Sequence, residues 1–307
     1  MKALLTLAAV LSLAAAPAFA ADPLPHRFAA SPAPAEKFEV GGMLVERHGE
    51  RGRPMIFVPG LAGGAWAWQG MVREFMGDHV VYVVTPAGFN GRSPVVGEPV
   101  AATRQALRDL IVTRSIKAPV LVGHSMGATL SLALAEDEPG LVGGVVAIDG
   151  LPVFPGTELV PAEQRPQMAA GIKAQMGGVT RPVFEAQQKN YMRTIGSIDM
   201  ARADDMALMT STSDPAAVTG YMAGVLALDL RERLPSIKAP VLVIAPWFEP
   251  DAAQTNVSQA QKVEYYQSLM AGTPKLKVVP VSPARHFAML DQPEQVTGAI
   301  REFLKTL

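Results

Sequence analysis

The sequence predicts an α/β fold: a doubly wound, mostly parallel sheet interrupted once by a helical insertion. Three observations predict it. Short runs rich in Val and Ile, apolar on both faces, recur along the chain. Segments of helical period separate them, and one stretch, Leu151 to Leu234, contains no such run. Strands apolar on both faces suit a parallel sheet, which needs helices over both sides. The composition agrees, since 307 residues at 49% hydrophobic and 18% charged hold enough apolar side chain for a large core.

In chain order, the first twenty residues carry the marks of an export signal. Lys2 is followed by an apolar stretch from Ala3 to Ala15 and the small-x-small site Ala18-Phe19-Ala20, so the mature chain is expected to begin at Ala21. The apolar stretch is shorter than the roughly 20 residues of a spanning helix, and Pro17 breaks it. No later apolar run reaches that length, which predicts a periplasmic or secreted protein with no stable membrane insertion after cleavage. Residues 21–36 hold Pro23, Pro25, Pro32 and Pro34 and are expected to form an extended tether outside the fold, which then occupies 37–307.

The expected strands contain Met55 to Val58, Val80 to Val84, Val120 to Val122, Val145 to Ile148, Val241 to Ile244 and Leu276 to Val279. The expected helices lie at 98–114, 126–137, 258–271 and 288–306. Between the fourth and fifth strands, about 151–234, methionines such as Met168, Met192 and Met222 stand among Ala, Gln and Arg in helix-favouring text. A methionine surface is apolar and repacks readily, so this insertion is either a substrate-selecting cap or a helical core filled by Met.

Charge and residue types narrow the chemistry. The 27 Lys and Arg against 28 Asp and Glu create no basic field, so nucleic acid is not an expected partner. Zero Cys excludes disulfides, thiolate metal sites and a cysteine nucleophile. No HExxH motif, carboxylate cluster or phosphate-cradling glycine loop is present, so neither a metal nor a cofactor is expected. Catalysis would rest on Ser, His and a carboxylate.

Gly123-His124-Ser125-Met126-Gly127 directly follows the third Val/Ile run and opens a helical segment. On a strand-to-helix turn, G-x-S-x-G lifts the serine above the sheet, and its glycines make room for the sharp backbone. Ser125 is therefore the candidate nucleophile. A hydroxyl needs a base. Of five histidines, His26 lies in the tether, His48 and His79 precede early strands, and His124 adjoins Ser125 with its side chain expected to point away. His286 remains, in the loop after the last strand. The backbone N–H of Met126, at the helix start behind Ser125, is a candidate oxyanion donor. Trp66 and Trp68 either line an acyl pocket or pack a helix against the sheet.

These features, with Pro59-Gly60-Leu61 and Gly63-Gly64 after the first core strand, Val241 to Ile244 before an acidic loop, and His286-Phe287, resemble the α/β-hydrolase superfamily. The resemblance implies a Ser-acid-His triad, a helical cap, no cofactor, and a second oxyanion donor at Leu61 N–H. The chain departs from the family pattern in three places. Pro59-Gly60 stands where many members have His-Gly, the turn at Gly88 to Ser93 is stretched with Thr85 ahead of it, and the acid is displaced. Counting as in similar members lands on Glu249, the first candidate, ahead of Asp251 nearby and Asp149 after Val145 to Ile148.

The expected protein is an exported serine hydrolase cleaving carboxylic esters of apolar or aromatic character through an acyl-enzyme. The alternatives are an acyltransferase, a lactone, amide or C–C hydrolase on the same residues, or a binding protein on a decayed hydrolase fold. Oligomeric state is not readable from the sequence.

Overall fold

In a computed structural model, residues 31–307 and Phe28 are described; the expected export signal lies outside the described residues. The eight strands are β1 (Glu36–Val40), β2 (Met43–His48), β3 (Pro54–Val58), β4 (Val80–Thr85), β5 (Val120–His124), β6 (Gly144–Ile148), β7 (Val241–Pro246) and β8 (Leu276–Val281). They form one sheet in the order β1-β2-β4-β3-β5-β6-β7-β8. β2 pairs antiparallel with both β1 and β4, and every later pairing is parallel. Each Val/Ile run lies within a strand. β5 and β6 are buried along their whole length because helices cover both faces. Ile56, Val58 and Leu121 enter one apolar layer, while Met55, Phe57 and Val122 enter the other.

The helices are α1 (Gln69–Phe75), α2 (Pro99–Thr113), α3 (Met126–Asp137), α4 (Arg165–Met176), α5 (Arg181–Tyr191), α6 (Met200–Ser211), α7 (Pro215–Ala227), α8 (Glu249–Thr255), α9 (Gln259–Leu269), α10 (Ala288–Asp291) and α11 (Pro293–Leu304). The helix expected over 288–306 is two, because Pro293 removes an N–H and so opens α11 instead of continuing α10. α1, β1 and β2 have no counterpart in the strand and helix signals above. β1 alternates charged and apolar residues at the sheet edge, where Glu36 and Lys37 stay partly solvated and no Val/Ile run forms. The tether also meets the fold earlier than expected. Glu36 is already in β1, and Phe28 is buried edge-on against Trp66 at 5.1 Å, its carbonyl accepting from the Gln69 side chain at 2.5 Å.

α4 to α7 lie between β6 and β7, in the stretch without strands. Their base is closed by a buried guanidinium. Arg165 donates to Thr157 O at 2.7 Å and pairs with Asp229 at 3.0 Å, beside the isolated Val153–Asp229 bridge. α7 is packed onto the sheet domain: the Tyr221 hydroxyl meets Thr103 Oγ1 at 2.8 Å, and its ring lies 4.5 Å from Phe89. The stretched turn explains that contact. Gly88, at φ 83, accepts from Asp214 N at 2.8 Å, and a Cβ on it would sit 2.4 Å from Ala217 Cβ. Only a glycine lets the helical layer approach so closely.

Candidate active site

Ser125 sits between β5 and α3 with φ 52 and ψ −123, a backbone conformation L-residues seldom adopt. Ser125 N–H donates to Ile148 O at 2.9 Å, tying the turn to β6. Both flanking glycines are sterically required. A Cβ on Gly123 would meet Ala128 N at 2.4 Å, and one on Gly127 would meet Val58 O at 2.1 Å. The next loop closes on the same turn, since a Cβ on Gly150 would stand 2.4 Å from Ser125 O.

His286 lines the same cavity as Ser125 with its tautomer set. Nδ1 lies 2.6 Å from Asp149 Oδ2, and since a carboxylate only accepts, the ring proton is on Nδ1 and Nε2 is left as the basic nitrogen of the neutral ring. The other Asp149 oxygen accepts from the Tyr266 hydroxyl. Burial alone would raise the Asp149 pKa. The hydrogen bond and charge of His286, with the Lys262 charge and the Tyr266 hydroxyl, outweigh it and lower the value to about 2. The same contact and its own burial push the Tyr266 phenol well above its usual range, so it stays a donor.

The backbone beside the histidine is fixed from two sides. His286 N–H donates to Ile195 O at 3.1 Å and Phe287 N–H to Gly196 O at 2.9 Å, both on the π-helical turn Met192–Gly196 that follows α5. The fully buried Asp291 carboxylate accepts from Arg285 N at 2.9 Å and Ser197 Oγ at 2.6 Å. The helical layer therefore holds the histidine loop in place.

His124 packs its ring 4.5 Å from that of His286. Its Nε2–H donates to His286 O at 3.0 Å, while its buried Nδ1 has no partner among the described residues and would be 2.7 Å from a Cβ on Gly60. Burial keeps its pKa well below the usual imidazole value, so the ring is neutral.

Asp149, not Glu249, meets His286. The chain leaving β7 runs through Trp247 and Phe248 into α8, whose first residue is an exposed Glu249. Asp149 instead follows β6 by one residue at φ 46, a left-handed conformation that turns its carboxylate towards the histidine loop. Asp251 is also elsewhere, held by Arg285 in two parallel bonds of 2.7 and 2.8 Å. Tyr266 and Tyr191, the latter with its ring centre 6.0 Å from that of His286 and nearly perpendicular to it, carried no signal in the sequence.

A cavity of about 790 Å³ opens at these residues. Ser125, Asp149 and His286 line it, with Leu61 and Met126, the two expected oxyanion donors. Among the described residues, neither of their backbone N–H groups donates to another backbone group in the turns and loops. Phe154, Tyr191, Ile195, Met222, Trp247 and Phe248 give the wall its apolar character. Trp66 and Trp68 are not part of it. Trp66 stacks on Phe287 at 6.0 Å and Trp68 packs on Phe57 at 5.1 Å, both inside the core. Of the insertion's methionines, Met192, Met206 and Met209 are core and Met222 reaches the cavity.

A fold of this order, with a serine on a strained strand-to-helix turn and a histidine after the last strand, is that of the α/β hydrolases. The family's model matches residues 55–299, and the chain belongs to the alpha/beta hydrolase family. It is 25% identical over 257 residues to the esterase YbfF of Escherichia coli, covering 82% of this chain and 92% of that one. It is 24% identical over 262 residues to N-formylmaleamate deformylase of Pseudomonas putida, covering 84% and 91%. Its fold matches a thermophilic esterase from Thermogutta terrifontis with a TM-score of 0.66 at 22% identity, over 89% of this chain and 99% of that one.

Proposed function

We propose that this hydrolase cleaves carboxylic esters of apolar or aromatic character through an acyl-enzyme, with Ser125 as nucleophile, His286 as base and Asp149 as the acid. The observation carrying the reading is the Asp149–His286 hydrogen bond of 2.6 Å on the wall of the apolar cavity that also holds Ser125. His286 Nε2 takes the Ser125 proton as Oγ bonds to the carbonyl carbon, and the N–H groups of Leu61 and Met126 receive the oxyanion. The tetrahedral intermediate collapses, and the leaving alkoxide departs with the proton from His286. Water, deprotonated by the same nitrogen, then attacks the acyl carbon and releases Ser125. Asp149 keeps the imidazole in the useful tautomer and stabilises the imidazolium formed in each half-reaction.

The test combines fluorophosphonate labelling with a panel of p-nitrophenyl and aryl esters of graded acyl length. Labelling of the wild type but not of Ser125→Ala, with turnover on the panel, is the expected result. A protein that neither labels nor turns over any ester would be a binding protein instead. Matched amides and lactones in the panel separate a second reading, to which the deformylase relative lends weight. The proposal includes export to the periplasm or medium, resting on Lys2, Ala3 to Ala15 and Ala18-Phe19-Ala20. N-terminal sequencing of the protein recovered outside the cytoplasm should begin at Ala21.

A further inference from the structure

The charged side chains on the cavity wall are Asp149, Asp251, Lys262, Arg285 and, when protonated, His286. Four of these are accounted for in pairs. Asp149 spends one oxygen on His286 and the other on Tyr266, and Asp251 neutralises Arg285 through two parallel hydrogen bonds. Lys262 is different. Among the described residues no carboxylate lies within ion-pair distance of its ammonium, and none accepts a hydrogen bond from it. It is only partly exposed, and Nζ lies 5.6 Å from the centre of the Tyr266 ring, the same ring whose hydroxyl reaches Asp149. The ammonium thus stands one tyrosine ring away from the carboxylate that meets His286, in a cavity whose lining also includes Trp247, Phe248, Val257, Gln261 and Tyr265.

Lys262 acts on Asp149 only across space, so among the described residues its ammonium has donors left for a ligand in the cavity. A ligand carboxylate fits best: it accepts from an ammonium in a charge-assisted hydrogen bond, and the apolar surroundings strengthen the attraction. Resting on the hydrolase reading above, we propose that Lys262 anchors a carboxylate of the substrate, which makes the preferred substrates monoanionic esters: an apolar body with a free carboxylate at the end remote from the scissile bond. The cavity's apolar wall takes the body, Ser125 meets the ester carbonyl, and Lys262 selects the charge. The anchor acts on binding and takes no part in bond making or breaking.

The test uses the full chain in the Ser125→Ala background, where an intact ester can be titrated without turnover. Monomethyl adipate and methyl hexanoate have equal length and differ only in the terminal carboxylate. Calorimetry should give about 10- to 100-fold tighter binding of the monoanion, the effect expected of a hydrogen bond to a charged group. Adding Lys262→Met should bring the ratio of the two affinities close to one, and Lys262→Arg should restore a preference for the monoanion. A ratio near or below one in Ser125→Ala, or a ratio that Lys262→Met leaves unchanged, overturns the anchor. The two readings fail separately. If the wild type cuts neither ester while the affinities behave as stated, the hydrolase reading falls and the anchor stands. If it cuts methyl hexanoate and the ratio is one, the anchor alone falls.

Discussion

The loops after β6 and β7 leave the same edge of the sheet, both end near His286, and each carries an acidic residue, yet they do different work. After β6 the chain turns at once. Asp149 N–H donates to Ile244 O at 3.0 Å, Gly150 presses on the nucleophile turn, and both carboxylate oxygens are engaged. After β7 the chain travels two residues further before α8 starts, which leaves Glu249 in solvent and Asp251 on Arg285. A carboxylate at the end of the right strand is therefore not enough. What distinguishes the carboxylate bonded to His286 is a backbone turned sharply enough to bring it to the histidine and a second donor to hold its other oxygen.

The largest expected effect is at Asp149. Asp149→Asn should lower kcat by about 10²- to 10⁴-fold on any ester the wild type accepts, because the imidazolium loses its partner and the wrong tautomer becomes accessible. Steady-state kinetics beside Glu249→Gln checks it, and a comparable loss at Glu249 would reverse the comparison. Asp149 also links stability to pH. Its value of about 2 lies below the ordinary aspartate value of 3.8, so the contribution is present above 3.8 and is lost as pH falls towards 2. It amounts to about 2 kcal/mol. Denaturant unfolding of the wild type between pH 4 and 2 should weaken more steeply than that of Asp149→Asn.

Tyr266→Phe comes next. It leaves one buried oxygen of Asp149 without a donor and should reduce kcat about 5- to 20-fold with little change in KM, in keeping with the loss of one hydrogen bond to a charged group. The acid-side limb of stability should move to higher pH with it, since the carboxylate is less well held. An unchanged kcat would mean that the turn after β6 positions the carboxylate unaided.

Asp251→Asn should act more weakly, lowering kcat/KM by about 2- to 5-fold. It frees a partly exposed Arg285 beside the histidine loop, and such pairs contribute at most about 1 kcal/mol. Glu249→Gln should leave kcat and Tm within experimental error of wild type, because its exposed side chain stands at the start of a short helix. Measured together, the four variants rank the two loops directly.

Much of this molecule was legible in the sequence because the signals are local. Five of the six parallel strands, β3 to β7, are apolar runs rich in Val and Ile that are largely buried, and each run's burial follows from its own few residues, while β8 at the sheet edge stays partly exposed. The turn carrying Ser125 is likewise written in five consecutive residues, and His286 stood out by its place after the last strand. The edge pair β1 and β2 was harder to read, since half of each edge residue's surroundings is solvent and charged residues are tolerated there.

The sequence by itself determined the six parallel strands and the turn that carries Ser125, and it singled out His286, because each depends on backbone geometry set within a few residues. Only the tertiary structure decided which carboxylate meets His286, the tyrosine behind it and the charge balance of the cavity. Asp149 lies 137 residues from His286 along the chain and Tyr266 lies 117 from Asp149. Two strands end within reach of the histidine, so residue counting could not separate Asp149 from Glu249. The separation came from a single left-handed residue and the hydroxyl of a helix several elements away, and such long-range contacts exist only once the sheet has brought its strand ends together.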